Sequence, residues 1–162
     1  MTPRLRFLAV RALVLLLVLA GSATCAPKKQ SLVHWMDYTT ALEKAKTNPK
    51  LIFVDLYADW CIPCRVMDAS VYTDPTVASL LNSKFYAVKL NAESEDKIVC
   101  DGQRKTVKRC YFDVWELSVL PAFVLVAPKG LTILTVSDSM SPQEMQSLLY
   151  QFMVKEEEWI KR

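Results

Sequence analysis

Cys61 and Cys64 stand two residues apart in the stretch Asp55-Leu-Tyr-Ala-Asp-Trp-Cys-Ile-Pro-Cys-Arg-Val-Met-Asp68. Metal ligation, a structural staple and redox catalysis all use cysteines this close together. Cys61 falls where an apolar run ends and a helical pattern begins. A sulfur there faces the unsatisfied N–H groups and the positive dipole end of the helix, which stabilise a thiolate and make it nucleophilic near neutral pH. Cys64, one helical turn on, is placed to close a small disulfide ring and release a substrate bound to Cys61. A zinc site drawing on Cys61, Cys64, Cys100 and Cys110 fits less well. Structural zinc sites pair closely spaced cysteines twice, whereas nine residues separate the second pair here. A purely structural Cys61–Cys64 link closes too small a ring to restrain much unfolded chain.

The elements that must hold these sulfurs can be read from apolar spacing. Residues 35–46 carry Tyr38, Ala41, Leu42 and Ala45 at helical intervals, ended by Asn48-Pro49. Leu51 to Tyr57 has the length and apolar density of a central strand, and Cys64 to Val71 is helical. Asp74-Pro75 starts another helix, with a carboxylate to cap it and proline at its first position, and Phe85 to Leu90 is the next strand. Ala122 to Ala127 and Leu131 to Val136 flank Pro128-Lys129-Gly130 as a hairpin, and Ser141-Pro-Gln-Glu144 opens a final helix with a capping box. The expected order is helix, strand, helix, strand, a helical insert, two strands and a helix. That is an α/β sandwich around a mixed central sheet.

The Val54-to-Cys64 turn resembles the active site of thioredoxin-fold thiol–disulfide oxidoreductases, the system in which the lowered cysteine pKa of this motif is best known. Over residues 35–160 the order of "WMDYTTALEKAK", "FVDLYADWC" and "VYTDPTVASLL" is especially similar to the C-terminal periplasmic domain of DsbD and its stand-alone secreted relatives. The resemblance implies a three-layer thioredoxin-like domain over 35–162. It implies that Asp55 is a buried carboxylate taking a proton from the resolving thiol, with Lys89 nearby. Burial of Asp55 is also expected from its place inside an apolar strand. Pro121, with Leu120 before it, matches the cis-proline loop that meets an incoming peptide; Pro63 belongs to the active-site turn, and Trp60 is expected to shield the sulfurs. Departures exist: Ile62 replaces the glycine of thioredoxins proper, Ala69 a helix-kinking proline, and Ser137-Asp138 a glycine-containing groove edge.

Read this way, the chain reduces disulfides of exported proteins, needs no metal and no cofactor beyond the Cys61–Cys64 disulfide, and draws electrons from a membrane donor of the DsbD or CcdA type. The alternatives are oxidation or isomerisation by the same pair, or a binding domain that keeps the fold without turnover. Cys100 and Cys110 bracket an insert before the proline loop. A structural disulfide, a second redox relay and free thiols are all open for them. His34, the single histidine, precedes the fold and is expected at the surface.

Residues 1–26 read as a signal peptide: Arg4, Arg6 and Arg11, then the apolar run Leu13 to Ala20, then Gly21, Ser22 and Ala23. Ser22-Ala23-Thr24 before Cys25 partly matches a lipoprotein signal, so a lipid anchor at Cys25 and ordinary cleavage are both open. A linker over 27–34 follows. The expected location is extracytoplasmic, in a bacterial periplasm, where cysteines form disulfides. Without the three signal-peptide arginines the chain has 17 basic and 17 acidic residues, which removes the basic surface a nucleic-acid binder requires.

Overall fold

The computed structural model describes residues 30–160. The expected leader, its Cys25 and the last two residues lie outside that range. Helix α1 (Tyr38–Thr47) is capped by Asp37, whose carboxylate accepts the Thr40 N–H at 2.8 Å. Strand β1 (Leu51–Tyr57) follows, then helix α2 (Ile62–Ser70), helix α3 (Pro75–Lys84) and strand β2 (Phe85–Asn91). Asp74 caps α3 by accepting the Thr76 and Val77 N–H groups, a device worth about 1 kcal/mol. Strands β5 (Ala122–Val126) and β6 (Thr132–Ser137) and a long final helix, α4 (Pro142–Ile160), complete the main body. Ser141 and Glu144 form the reciprocal cap of that helix.

The sheet runs β2-β1-β5-β6, with β1 parallel to β2 and antiparallel to β5, and β6 antiparallel to β5. Strand alternation sorts its side chains into two buried layers. Ile52, Val54, Leu56, Val88, Val124 and Val126 pack against α1 and the insert. Leu51, Phe53, Phe85, Ala87, Phe123 and Leu125 pack against Met67 of α2, Leu81 of α3 and Met145 and Leu149 of α4. Helices thus cover both faces of a mixed sheet, the three-layer arrangement expected. In the β5–β6 turn Gly130 adopts φ +84, and a Cβ there would lie 3.3 Å from Leu42. A side chain at that position would be both strained and crowded.

Two expectations need correction. The insert is not simply helical: Lys97–Cys100 (β3) and Gln103–Thr106 (β4) form an antiparallel hairpin, followed by a helical turn (Val107–Arg109) and a π-helical segment (Cys110–Val114). Asp101 and Gly102 make its two-residue turn with φ +45 and +76, the left-handed pair such turns require. The linker also ends earlier than residue 34. Val33 is buried, the Leu32 N–H bonds Tyr72 O at 2.9 Å, the His34 N–H bonds Asn82 Oδ1 at 2.8 Å, and Met36 bridges to Val88 of β2. The Met36 bridge partners part of the outer edge of β2. The His34 side chain itself is exposed.

Candidate active site

Strand β1 delivers Cys61 to the start of α2 because the chain leaves the sheet at Tyr57 and turns through Ala58, whose carbonyl accepts the Cys61 N–H at 3.0 Å. Cys61 is the N-cap of α2, and its sulfur accepts the Cys64 N–H at 3.2 Å. Pro63 sits in the first turn, where no intrahelical N–H partner is lost. The two sulfurs are bonded, with Cα atoms 5.3 Å apart. Both cysteines are almost fully buried, in a small cluster with Ala58, against which Tyr57 and Leu120 pack. Around them Trp60, Ile62, Val66 and Val119 are largely exposed, Trp60 at 64%. Trp60, expected as a shield, therefore presents most of its ring to solvent. The apolar cover recorded on the sulfurs comes from Tyr57 and Leu120. The Leu120–Pro121 peptide is cis and Pro121 is buried.

Asp55 is 3% exposed and lies on the α2 side of the sheet, in step with Leu51 and Phe53. The parallel register sets Asp55 beside Lys89 of β2, and the Lys89 Nζ stands 3.0 Å from Asp55 Oδ2. Lys89 also contacts the carboxylate of Asp68 on α2. Its ammonium lies 5.1–5.4 Å from the ring centroids of Trp35, Tyr57 and Tyr72, a distance at which cation–π attraction contributes. Burial pushes the Asp55 carboxyl above its ordinary 3.8, and the Lys89 charge draws it only partly back. For Lys89, burial lowers the ammonium, but the Asp55 and Asp68 carboxylates outweigh it and the net shift is upward. Burial, then the charge of Asp55, push the Tyr72 phenol well up. A hydrogen-bonding interaction with Asp55 adds to that rise, and the same interaction helps to draw the Asp55 carboxyl down.

In the insert Cys100 and Cys110 are bonded to each other, with Cα atoms 6.1 Å apart and both side chains fully buried. Among the described residues no three metal-ligating side chains converge, and no helix is long and apolar enough to cross a membrane. The sequence reading missed Asp68. Its signal was present: four residues beyond Cys64 and one beyond buried Met67, it shares the inward side of α2.

The thioredoxin-like family model matches residues 34–128, more than half of the 162-residue chain. The chain belongs to the thioredoxin-like family. Over 54 residues it is 43% identical to thiol:disulfide interchange protein DsbD 1 of Pseudomonas aeruginosa, a match covering 30% of this chain and 9% of that protein. It is 35% identical over 54 residues to thioredoxin H4 of Arabidopsis thaliana, covering 33% of this chain and 44% of that one. The matches thus span less than half the length of either relative. Among solved structures, a thioredoxin from Thermus thermophilus aligns with TM-score 0.61 at 22% identity, covering 76% of this thioredoxin-like chain and 88% of that one. The reduced C-terminal domain of Neisseria meningitidis DsbD aligns with TM-score 0.52 at 20% identity, covering 70% and 91%. At these identities the structural likeness speaks to the fold.

Proposed function

We propose that this thioredoxin-like chain is an exported thiol–disulfide oxidoreductase that reduces protein disulfides. One observation carries the reading: the Cys61 sulfur caps α2 and accepts the Cys64 N–H, while Cys64 is close enough to bond it. In the reduced protein the same N–H and helix end favour a Cys61 thiolate. That thiolate attacks one sulfur of a substrate disulfide, forming a mixed disulfide, and the departing substrate thiolate takes a proton. Cys64 gives its proton to Asp55 and attacks the Cys61 sulfur. The Cys61–Cys64 disulfide forms and the second substrate sulfur leaves as a thiolate that takes up a proton as Asp55 releases its own, so two electrons pass from the dithiol to the substrate.

Asp55 suits the base role because burial raises its carboxyl toward the range in which proton acceptance and release are both easy. Lys89 holds that carboxylate in place. Trp60, Pro63, Leu120 and Pro121 form the rim that meets a polypeptide substrate. Similarity to DsbD relatives favours the reducing direction and a membrane electron donor of the DsbD or CcdA type, which the proposal requires to regenerate the dithiol. Catalysed reduction of insulin, lost in Cys61→Ser, tests the activity. The redox state of Cys61 and Cys64 in the native host tests its direction. A mostly oxidised pair there would point to oxidation instead.

A further inference from the structure

Leu120 packs on two separate clusters. It lies against the one holding Cys61 and Cys64, and also against the one holding Cys100, Cys110, Trp115 and Leu117. The side chain beside the reactive sulfurs thus also borders the core layer to which the insert belongs. The backbone between is tightly fixed. The Trp115 N–H bonds Cys110 O at 2.8 Å and the Leu117 N–H bonds Tyr111 O at 2.9 Å. Between them Glu116 adopts φ +52, a left-handed conformation that a non-glycine residue keeps only where its surroundings impose it. The Trp115 indole N–H donates to Thr132 Oγ1 at 3.0 Å, and the Thr132 N–H donates to Asp101 in the hairpin turn. The Cys100–Cys110 bond ties that hairpin to the π-helical segment from which the 115–120 chain departs. The Cys100 sulfur lies 3.7 Å from the Gln103 carbonyl oxygen, a neighbour that disfavours a thiolate, which suits the bond to geometry rather than electron transfer.

We propose that the Cys100–Cys110 disulfide and Trp115 are positioning residues for protein-substrate docking, acting through Leu120. They hold the Val119-Leu120-Pro121 edge against the active-site sulfurs in the shape a polypeptide disulfide must meet. A small disulfide, which needs only the Cys61 sulfur, does not depend on them. This rests on the redox reading above.

The test compares the parent with Cys100→Ala/Cys110→Ala, using insulin as the protein disulfide and oxidised glutathione as the small one. Amide hydrogen exchange over residues 117–120 is read in parallel. The expected result is a KM for insulin raised roughly fivefold, an unchanged kcat/KM for glutathione, and exchange at 117–120 faster by about tenfold with β1 unaltered. In a Leu120→Ala background the same double substitution changes the insulin KM no further. Unchanged insulin KM and exchange, equal losses on both disulfides, or additive effects in that background each overturn the proposal. If the double variant fails to fold, Trp115→Phe keeps the disulfide and removes the indole bond. It must shift the insulin KM and the 117–120 exchange in the same direction, and no shift overturns the proposal. If the parent itself does not reduce insulin, the redox reading fails, and the exchange rates alone decide whether the insert positions the loop.

Discussion

The Cys61–Cys64 and Cys100–Cys110 disulfides are both buried, yet their surroundings assign them different work. The first closes a three-residue separation at the start of a helix, with an amide N–H on one sulfur and exposed Trp60, Ile62, Val66 and Val119 around it. The second closes a ten-residue separation between a hairpin and a π-helical segment. The Cys100 sulfur lies 3.7 Å from the Gln103 carbonyl oxygen, a neighbour that disfavours negative charge. Low exposure alone therefore does not separate a reactive disulfide from an inert one. Donors that stabilise a thiolate and a rim that admits a partner do.

The sharpest break of this comparison comes from the sulfurs themselves. Cys61→Ser should abolish insulin reduction, a loss of roughly a thousandfold or more. Cys64→Ser should still attack and then accumulate mixed disulfides through Cys61, visible on non-reducing gels. Equal trapping through Cys64 in the Cys61→Ser protein would reverse the assignment. Removing the insert disulfide should instead act on stability, costing about 3 kcal/mol by urea denaturation, since the longer loop restrains more of the unfolded chain. The alkylation rate of Cys61 should barely change.

Asp55→Asn sharpens the chemistry of the first site alone. It should slow the resolving step by about tenfold to a hundredfold while leaving Cys61 alkylation nearly as fast, read by rapid mixing. It should also stabilise the fold at neutral pH. The folded carboxyl titrates above its ordinary 3.8 because burial disfavours its charge. Its contribution to stability is therefore full below about 3.8 and is lost as pH rises through the folded value. Asparagine escapes that loss, so the advantage of the variant should grow with pH above about 4 and then level off. The smallest effect is expected from Lys89→Met. Without the ammonium that draws the Asp55 carboxyl down, the Asp55-dependent limb of the resolving-rate profile should move to higher pH. An unmoved limb would detach Lys89 from the mechanism.

The main body was legible because its signals are local and redundant. The apolar run from Leu51 forms a buried strand, Asp74-Pro75 and Ser141 to Glu144 form helix caps, and Pro128-Lys-Gly130 lies in the turn it suggested. The buried position of Asp55 followed from its apolar neighbours, whereas the nearness of Lys89 was implied only by the family resemblance and is explained by the parallel β1–β2 register. The insert was read poorly for a physical reason. Lys97-Ile-Val-Cys100 and Gln103-Arg-Lys-Thr106 are short and mostly polar on one strand, so alternation is weak, and the Asp101-Gly102 turn signal between them was passed over. The early docking of Leu32 to Met36 rests on bonds to Tyr72, Asn82 and Ala87, which are far away in sequence. Asp68 and the aromatic rings around Lys89 likewise meet only when α2 lies across the sheet. No local pattern announces contacts of that kind.

The pH dependence of cysteine alkylation, mapped by mass spectrometry after mild reduction, tests the central contrast most directly. The account predicts that Cys61 is modified first, with half-maximal rate below the free-thiol value of about 8.5, while Cys100 and Cys110 remain bonded to each other. Modification of Cys61 only at or above that value, or opening of the insert disulfide at the same reductant concentration, would contradict it.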